Sequence, residues 1–173
     1  TYPCPRCSNP TGMADRLALC FRPVRGLALV RPILGLCLLV CLAGTACDPY
    51  SEVRGALDSA DRERFARGQR AATPCATCHD LAGHAHKVGP PLTGLFGRRA
   101  GAVKGFPYSE ALRQSPMVWN DRTLDAFLAN PQAVIPGNRM LSPPIAEPGL
   151  RSDLIFFLVT LDRQVKGTGA TPN

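Results

Sequence analysis

With 173 residues, 45% of them hydrophobic, the chain can build one ordinary domain with a buried core and leaves little room for a second. The formal net charge of +7 is concentrated at the start: Arg6, Arg16, Arg22, Arg25 and Arg31, offset by Asp15, lie within residues 1–46, and +3 remains without them. No dense Lys/Arg stripe with interleaved aromatics is left, which removes the main support for a nucleic-acid partner.

The opening "TYPCPRCSNPTG" precedes Met13, a candidate start, and its Cys4 and Cys7 have neither a matching pair nor a local histidine to make a zinc site. Residues 33–43 are an apolar run, preceded by arginines and followed by the small residues Gly44, Thr45 and Ala46. That is the layout of a secretory signal, and it is too short for a transmembrane helix, which needs roughly 20 apolar residues. Residues 1–46 therefore read as a leader, and export to the periplasm follows from it. Cys47 comes directly after the small residues and is an odd thiol in an exported chain, so it is a candidate for lipid attachment and a membrane anchor. The competing outcome is cleavage after Ala46 to give a soluble protein.

Residues 47–57 read as a polar tether with a turn at Asp48-Pro49. From a cap at Asp58 or Ser59, "ADRERFARGQRAA" predicts a short charged helix that ends before Thr73-Pro74. Next comes "CATCHD". Residues 81–107 are rich in glycine and proline and predict a long irregular loop, of a kind uncommon unless something organises it. Short helices are expected at 109–114 and 121–129, the second burying Leu124, Phe127 and Leu128 and stopping at Asn130-Pro131. A last helix over about 150–163 would bury Leu150, Leu154, Phe157, Leu158 and Leu161, and residues 164–173 read as a flexible tail. No strand pattern competes, so the fold class is all-α. Helices spaced by long loops make a poor core unaided, which points to a large apolar ligand at the centre.

Three chemistries use a CxxC pair: zinc, a redox dithiol and covalent haem. Zinc could recruit His84 and His86 but would leave His79 unexplained, and a thioredoxin-like dithiol wants a βαβ context. CxxC followed at once by histidine in an exported chain reads as attachment of one haem c. Cys75 and Cys78 would add to the vinyl groups, and His79 would bind the iron. For the other axial position the candidates are Met117, Met140, His84 and His86. The two histidines read as solvent-facing and Met117 as core packing, while Met140 lies in an irregular, proline-edged loop far along the chain.

Taken with CATCH, the segments "KVGPPLTGLFGRRAG", "GFPYSEAL", "VWNDRTLDAFLANP", "VIPGNRM" and "RSDLIFFLVTL" resemble, in order and spacing, the mitochondrial-type (class I) cytochromes c and their bacterial monohaem relatives. The resemblance covers residues 58–163. It implies a fold of a few helices and long loops around one covalent haem, with no catalysed reaction and single-electron transfer between membrane redox complexes. It also implies His79 and Met140 as iron ligands, Pro90 as the carbonyl that orients His79, and Arg98, Tyr108 and Trp119 around the haem propionates. A monomer is expected unless the chain belongs to a complex. The alternatives are a membrane-tied subunit of a larger oxidoreductase, and a haem enzyme or gas-binding domain with a labile distal ligand.

The chain departs from the family pattern at several positions. Phe127 replaces a tyrosine near the methionine, Asn138 and Arg139 replace threonine and lysine before Met140, and Gln132-Ala133 stand where lysines are common. Ala71 lies where an aromatic is expected four residues before the first cysteine, a loss that Phe156 is expected to compensate.

Overall fold

The computed structural model describes residues 48–167. By contacts the chain divides into Thr1–Glu52 and Val53–Asn173. Of the first unit, residues 48–52 are described: the turn predicted at Asp48-Pro49 is present, with the Tyr50 N–H donating to Asp48 Oδ1 at 3.1 Å. A helical turn, α1 (Ser51–Gly55), begins there, within the segment read as a tether.

The second unit is built from α2 (Ser59–Ala71), α3 (Thr73–Cys78), α4 (Glu110–Gln114), α5 (Asp121–Ala129), α6 (Pro131–Val134) and α7 (Pro148–Gly167). Asp58 caps α2 by accepting from the Asp61 N–H at 2.9 Å. Asn120 and Thr123 form a reciprocal capping box on α5. The only β pairing among the described residues is an isolated antiparallel bridge between Arg99 and Val118.

The core is the crossing of α2 and α7. Phe65 and Phe157 meet with ring centroids 4.9 Å apart, and together with Leu154 they are fully buried. The close approach depends on Gly68, where a Cβ would lie 2.1 Å from the Asp153 carbonyl oxygen. Arg67 closes the rim on Asp153 at 2.7 Å. Helix α5 packs on α7 beside it, and Arg151 pairs with Asp125 at 2.7 Å.

Three expectations change. Helix α2 does end before Thr73-Pro74, but the chain re-enters helix at once: Pro74 lies in the first turn of α3, where its missing N–H costs nothing. Helix α7 runs longer than expected at both ends, and Leu150, one turn ahead of Leu154 on the same face, is 44% exposed because it lies in the first turn, at the end of the buried stripe of Leu154, Phe157, Leu158 and Leu161. The compensation expected of Phe156 is also different. Ala72 is the fully buried alanine, whereas Ala71 is partly exposed. The aromatic supplied to the helix crossing is Phe157, and Phe156 instead carries the Arg64 guanidinium over its ring at 4.5 Å.

Candidate haem site

Helix α3 presents Cys75 and Cys78 one turn apart, both as free thiols. Desolvation pushes the Cys75 thiol above its ordinary value, opposed by a backbone hydrogen bond, with Cys78 adding to the rise. A reactive redox dithiol needs the opposite shift. The zinc alternative is not assembled either, because no group of three or more His, Cys, Asp or Glu comes together among the described residues.

His79 caps α3 and turns out of the helix into extended backbone. Its Nδ1 lies 2.7 Å from the Pro90 carbonyl oxygen, so Nδ1 carries the proton and Nε2 is left with its lone pair free. Desolvation holds the ring below the usual histidine range, against the Pro90 bond and with help from Lys87, which keeps the imidazole neutral as a metal ligand requires. Gly89 lies directly against the ring, and its N–H donates to the Cys78 carbonyl at 2.7 Å. Lys87 caps the end of α3, donating to the carbonyls of Ala76 at 2.9 Å and His79 at 3.2 Å. Buried Asp80 folds the next loop by accepting from the N–H groups of Gly83 and Ala85, each at 3.0 Å.

The residues assigned to the propionates are brought together in a second cluster. Paired segments carry Arg98 and Trp119: the Trp119 N–H donates to the Arg98 carbonyl at 2.9 Å, and Gly97 N–H to the Trp119 carbonyl at 2.8 Å. The Arg98 guanidinium donates to the carbonyls of Thr93 at 2.9 Å and Pro91 at 3.0 Å, next to the Pro90 that orients His79. Burial pulls Arg98 below the arginine range, while Tyr108 and Asp162 push it back. Burial raises the Tyr108 phenol, with Arg98 and a backbone bond at Val103 opposing. Trp119 is buried and meets Phe127 edge-on at 5.1 Å, so the ring that replaces the expected tyrosine packs against the indole.

Met140 is partly buried in a loop held by the two departures beside it. Asn138, 5% exposed, donates from Nδ2 to the Pro131 and Ile135 carbonyls at 2.8 Å each and accepts from the Met140 N–H at 3.0 Å. Arg139 reaches the Pro107 carbonyl at 2.7 Å, which latches this loop to the segment carrying Tyr108. Gln132 donates to the Asn138 carbonyl at 3.0 Å and accepts from the Gly137 N–H. Met117 belongs to the paired segment, its carbonyl accepting from Ala100 at 2.8 Å. His84 and His86 are exposed, as read from the sequence, and His86 rests edge-on against Phe106. Cys47 and the leader lie outside the described residues.

These residues fit haem c in their donor chemistry: two unpaired thiols, an imidazole with one nitrogen committed, a thioether, a partly buried guanidinium and a buried phenol. Sequence reading gave Gly89, Lys87, Asp80 and Gln132 no part in building the site. Only Gly89, ahead of a double proline, carried a local signal.

No family model matches the chain. It is 47% identical over 87 residues to cytochrome c of Arabidopsis thaliana, covering 50% of this chain and 78% of that protein. It is 43% identical over 96 residues to cytochrome c of Chlamydomonas reinhardtii, covering 54% of this chain and 86% of that protein. Among solved structures it resembles cytochrome cH from Methylobacterium extorquens, with a TM-score of 0.53 and 36% identity over 56% of this chain and 97% of that one.

Proposed function

The chain belongs to the class I cytochrome c family, whose members are electron carriers rather than enzymes, and from that premise we propose a bacterial monohaem carrier with His79 and Met140 as its iron ligands. The family implies a covalently bound haem c, which supplies a single iron that takes up and releases one electron. Cys75 and Cys78 would hold it as thioethers, and the Pro90 carbonyl, by accepting from the Nδ1–H of His79, would leave Nε2 free to bind the metal. Arg98, Tyr108 and Trp119 would meet the propionates, whose burial without donors would be costly. The observation that carries the ligand reading is the 2.7 Å bond from His79 Nδ1 to Pro90, made directly beside the two free thiols.

In this reading residues 1–46 direct export and Cys47 carries lipid, so the carrier works in the periplasm against the membrane between membrane redox complexes. Among the described residues no helix is long and apolar enough to cross a membrane. Mass spectrometry of the mature N-terminus tests this part, and an unmodified Cys47 on a soluble product ends it.

The ligand assignment has its own test. Met140→Ala should retain covalent haem but open the sixth position to carbon monoxide. It should also lower the midpoint potential by on the order of 0.1 V, within the roughly 0.8 V that axial ligands span. Met117→Leu should leave the spectrum and potential unchanged. If the two variants exchange these behaviours, the assignment is wrong.

A further inference from the structure

Asp162, an acidic residue, lies on the core-facing side of α7 and is only 4% exposed. Its Oδ2 pairs with Lys166 Nζ at 2.6 Å, and that ammonium also donates to the Phe96 carbonyl at 3.0 Å. Its other oxygen, Oδ1, is buried with no hydrogen-bond partner among the described residues. A helix position that needed only packing would not hold a half-satisfied carboxylate, because leaving a buried acceptor unmet costs stability.

The electrostatics around it are uneven. The Lys166 side chain is 53% exposed and that of Asp162 only 5%, so water screens the cation far more than the carboxylate. The pair therefore leaves a net negative field inside the protein. Two residues before Arg98, Phe96 is the residue to which Lys166 is tied, which sets the Asp162–Lys166 pair against the segment carrying Arg98; the partly buried Arg98 guanidinium is held up towards the arginine range by Tyr108 and Asp162. Within the protein, the Arg98 guanidinium donates two hydrogen bonds to the neutral carbonyls of Thr93 and Pro91, which cancel none of its charge, and keeps further N–H groups for the propionate assigned to it.

We propose that Asp162 is a buried countercharge to Arg98 that sets the reduction potential of this cytochrome, holding it below the value that its axial ligands and Arg98 alone would give. The inference rests on the haem reading above. Its sign follows from charge: the oxidised centre carries one more positive charge than the reduced one, so a buried negative charge favours oxidation.

The test uses the full chain with covalent haem, titrated against a reference redox couple. Asp162→Asn removes the charge at constant shape and should shift the equilibrium towards reduction by roughly threefold to tenfold. Its melting temperature should change little, since a neutral amide atom replaces the unmet charged oxygen while the ion pair to Lys166 is weakened to a hydrogen bond. Asp162→Glu retains the charge and should keep the parent potential whatever it does to packing. Should Asp162→Asn not fold, Lys166→Gln supplies the second arm: it strips the screening cation and should shift the equilibrium the other way.

A potential unmoved by Asp162→Asn, or by Lys166→Gln where that arm is used, overturns the proposal, provided covalent haem and the sulfur-to-iron band are intact. A potential moved equally by Asp162→Glu and Asp162→Asn also overturns it, since packing would then be the cause. A parent chain that takes up no covalent haem overturns the functional reading and this inference together, so the two failures are distinguishable.

Discussion

Gly89 shows how little space the proximal side leaves. A Cβ there would lie 2.4 Å from Cε1, 2.6 Å from Nδ1 and 2.9 Å from Nε2 of His79, which places it on the face of the ring. The two residues of Gly89-Pro90 divide the work: the first makes room for the imidazole and the second orients it through a 2.7 Å bond. An added methyl must push the ring or the loop away, and either motion lengthens that bond. Gly89→Ala should therefore perturb the sulfur-to-iron band and raise the potential, because an imidazole that loses the Pro90 bond is a less basic donor and stabilises oxidised iron less. It should also destabilise the fold by about 1–3 kcal/mol, the usual range for overpacking a filled site. Absorption spectra and a thermal melt check both, and a variant with parent-like band and melt would show that the loop yields without disturbing His79.

At the level of elements, what sequence can and cannot show follows from the range of the forces involved. Helix α5 is legible because its signals are local: an Asn120 cap, Leu124, Phe127 and Leu128 on one face, and Asn130-Pro131 as a stop. CATCH is legible for the same reason, five adjacent residues carrying a whole donor set. Helix α3 is not, since a proline after threonine signals both a stop and a first turn, and only the tertiary context chooses between them. Met140 stands out as a ligand candidate, but the staples of its loop read in sequence only as the loss of a lysine and a threonine. Asn138 and Gln132 act on residues up to seven positions away, and no periodicity announces such bonds. The α2 and α7 crossing is longer in range still, and its glycine yields a clear prediction. Helix propensity favours Ala over Gly by about 0.8–1.0 kcal/mol. At Gly68 that gain meets a backbone oxygen 2.1 Å from the new Cβ, which no side-chain rotation can relieve. Gly68→Ala should lose by about 1–2 kcal/mol net, a fall of roughly 4–8 °C in melting temperature for each kcal/mol in a domain of this size. At Gly55 nothing lies within 4 Å of the point a Cβ would occupy, so Gly55→Ala should be neutral or stabilising. Equal effects at the two sites would mean the helices separate without cost.

For the whole molecule, the question is how a carrier with so little directed charge finds its partners. Residues 48–167 carry a formal +3, and two exposed cations beside the proposed ligands are tied to backbone carbonyls. Lys87 is bound to the carbonyls of Ala76 and His79, and Arg139 to that of Pro107. The residues beside them are exposed and apolar: Val88 at 84% and Leu141 at 96%. Val88 precedes the glycine that packs on His79, and Leu141 follows Met140, so each flanks one proposed iron ligand. Isolated exposed apolar residues are ordinary, but two at these positions, between anchored cations, favour docking by desolvation over long-range steering. Tethering would add to this by raising local concentration without any attraction. Electron transfer with its redox partner should therefore slow only modestly, about twofold to threefold, between low salt and 0.1 M, where the Debye length is about 10 Å. Leu141→Asp should slow it more than that change in salt does, with the potential and spectrum unchanged, since the side chain projects into solvent. Stopped-flow rates across an ionic-strength series decide the matter. A collapse of the bimolecular rate with salt, together with indifference to Leu141→Asp, would show that a basic face steers this protein to its partners after all.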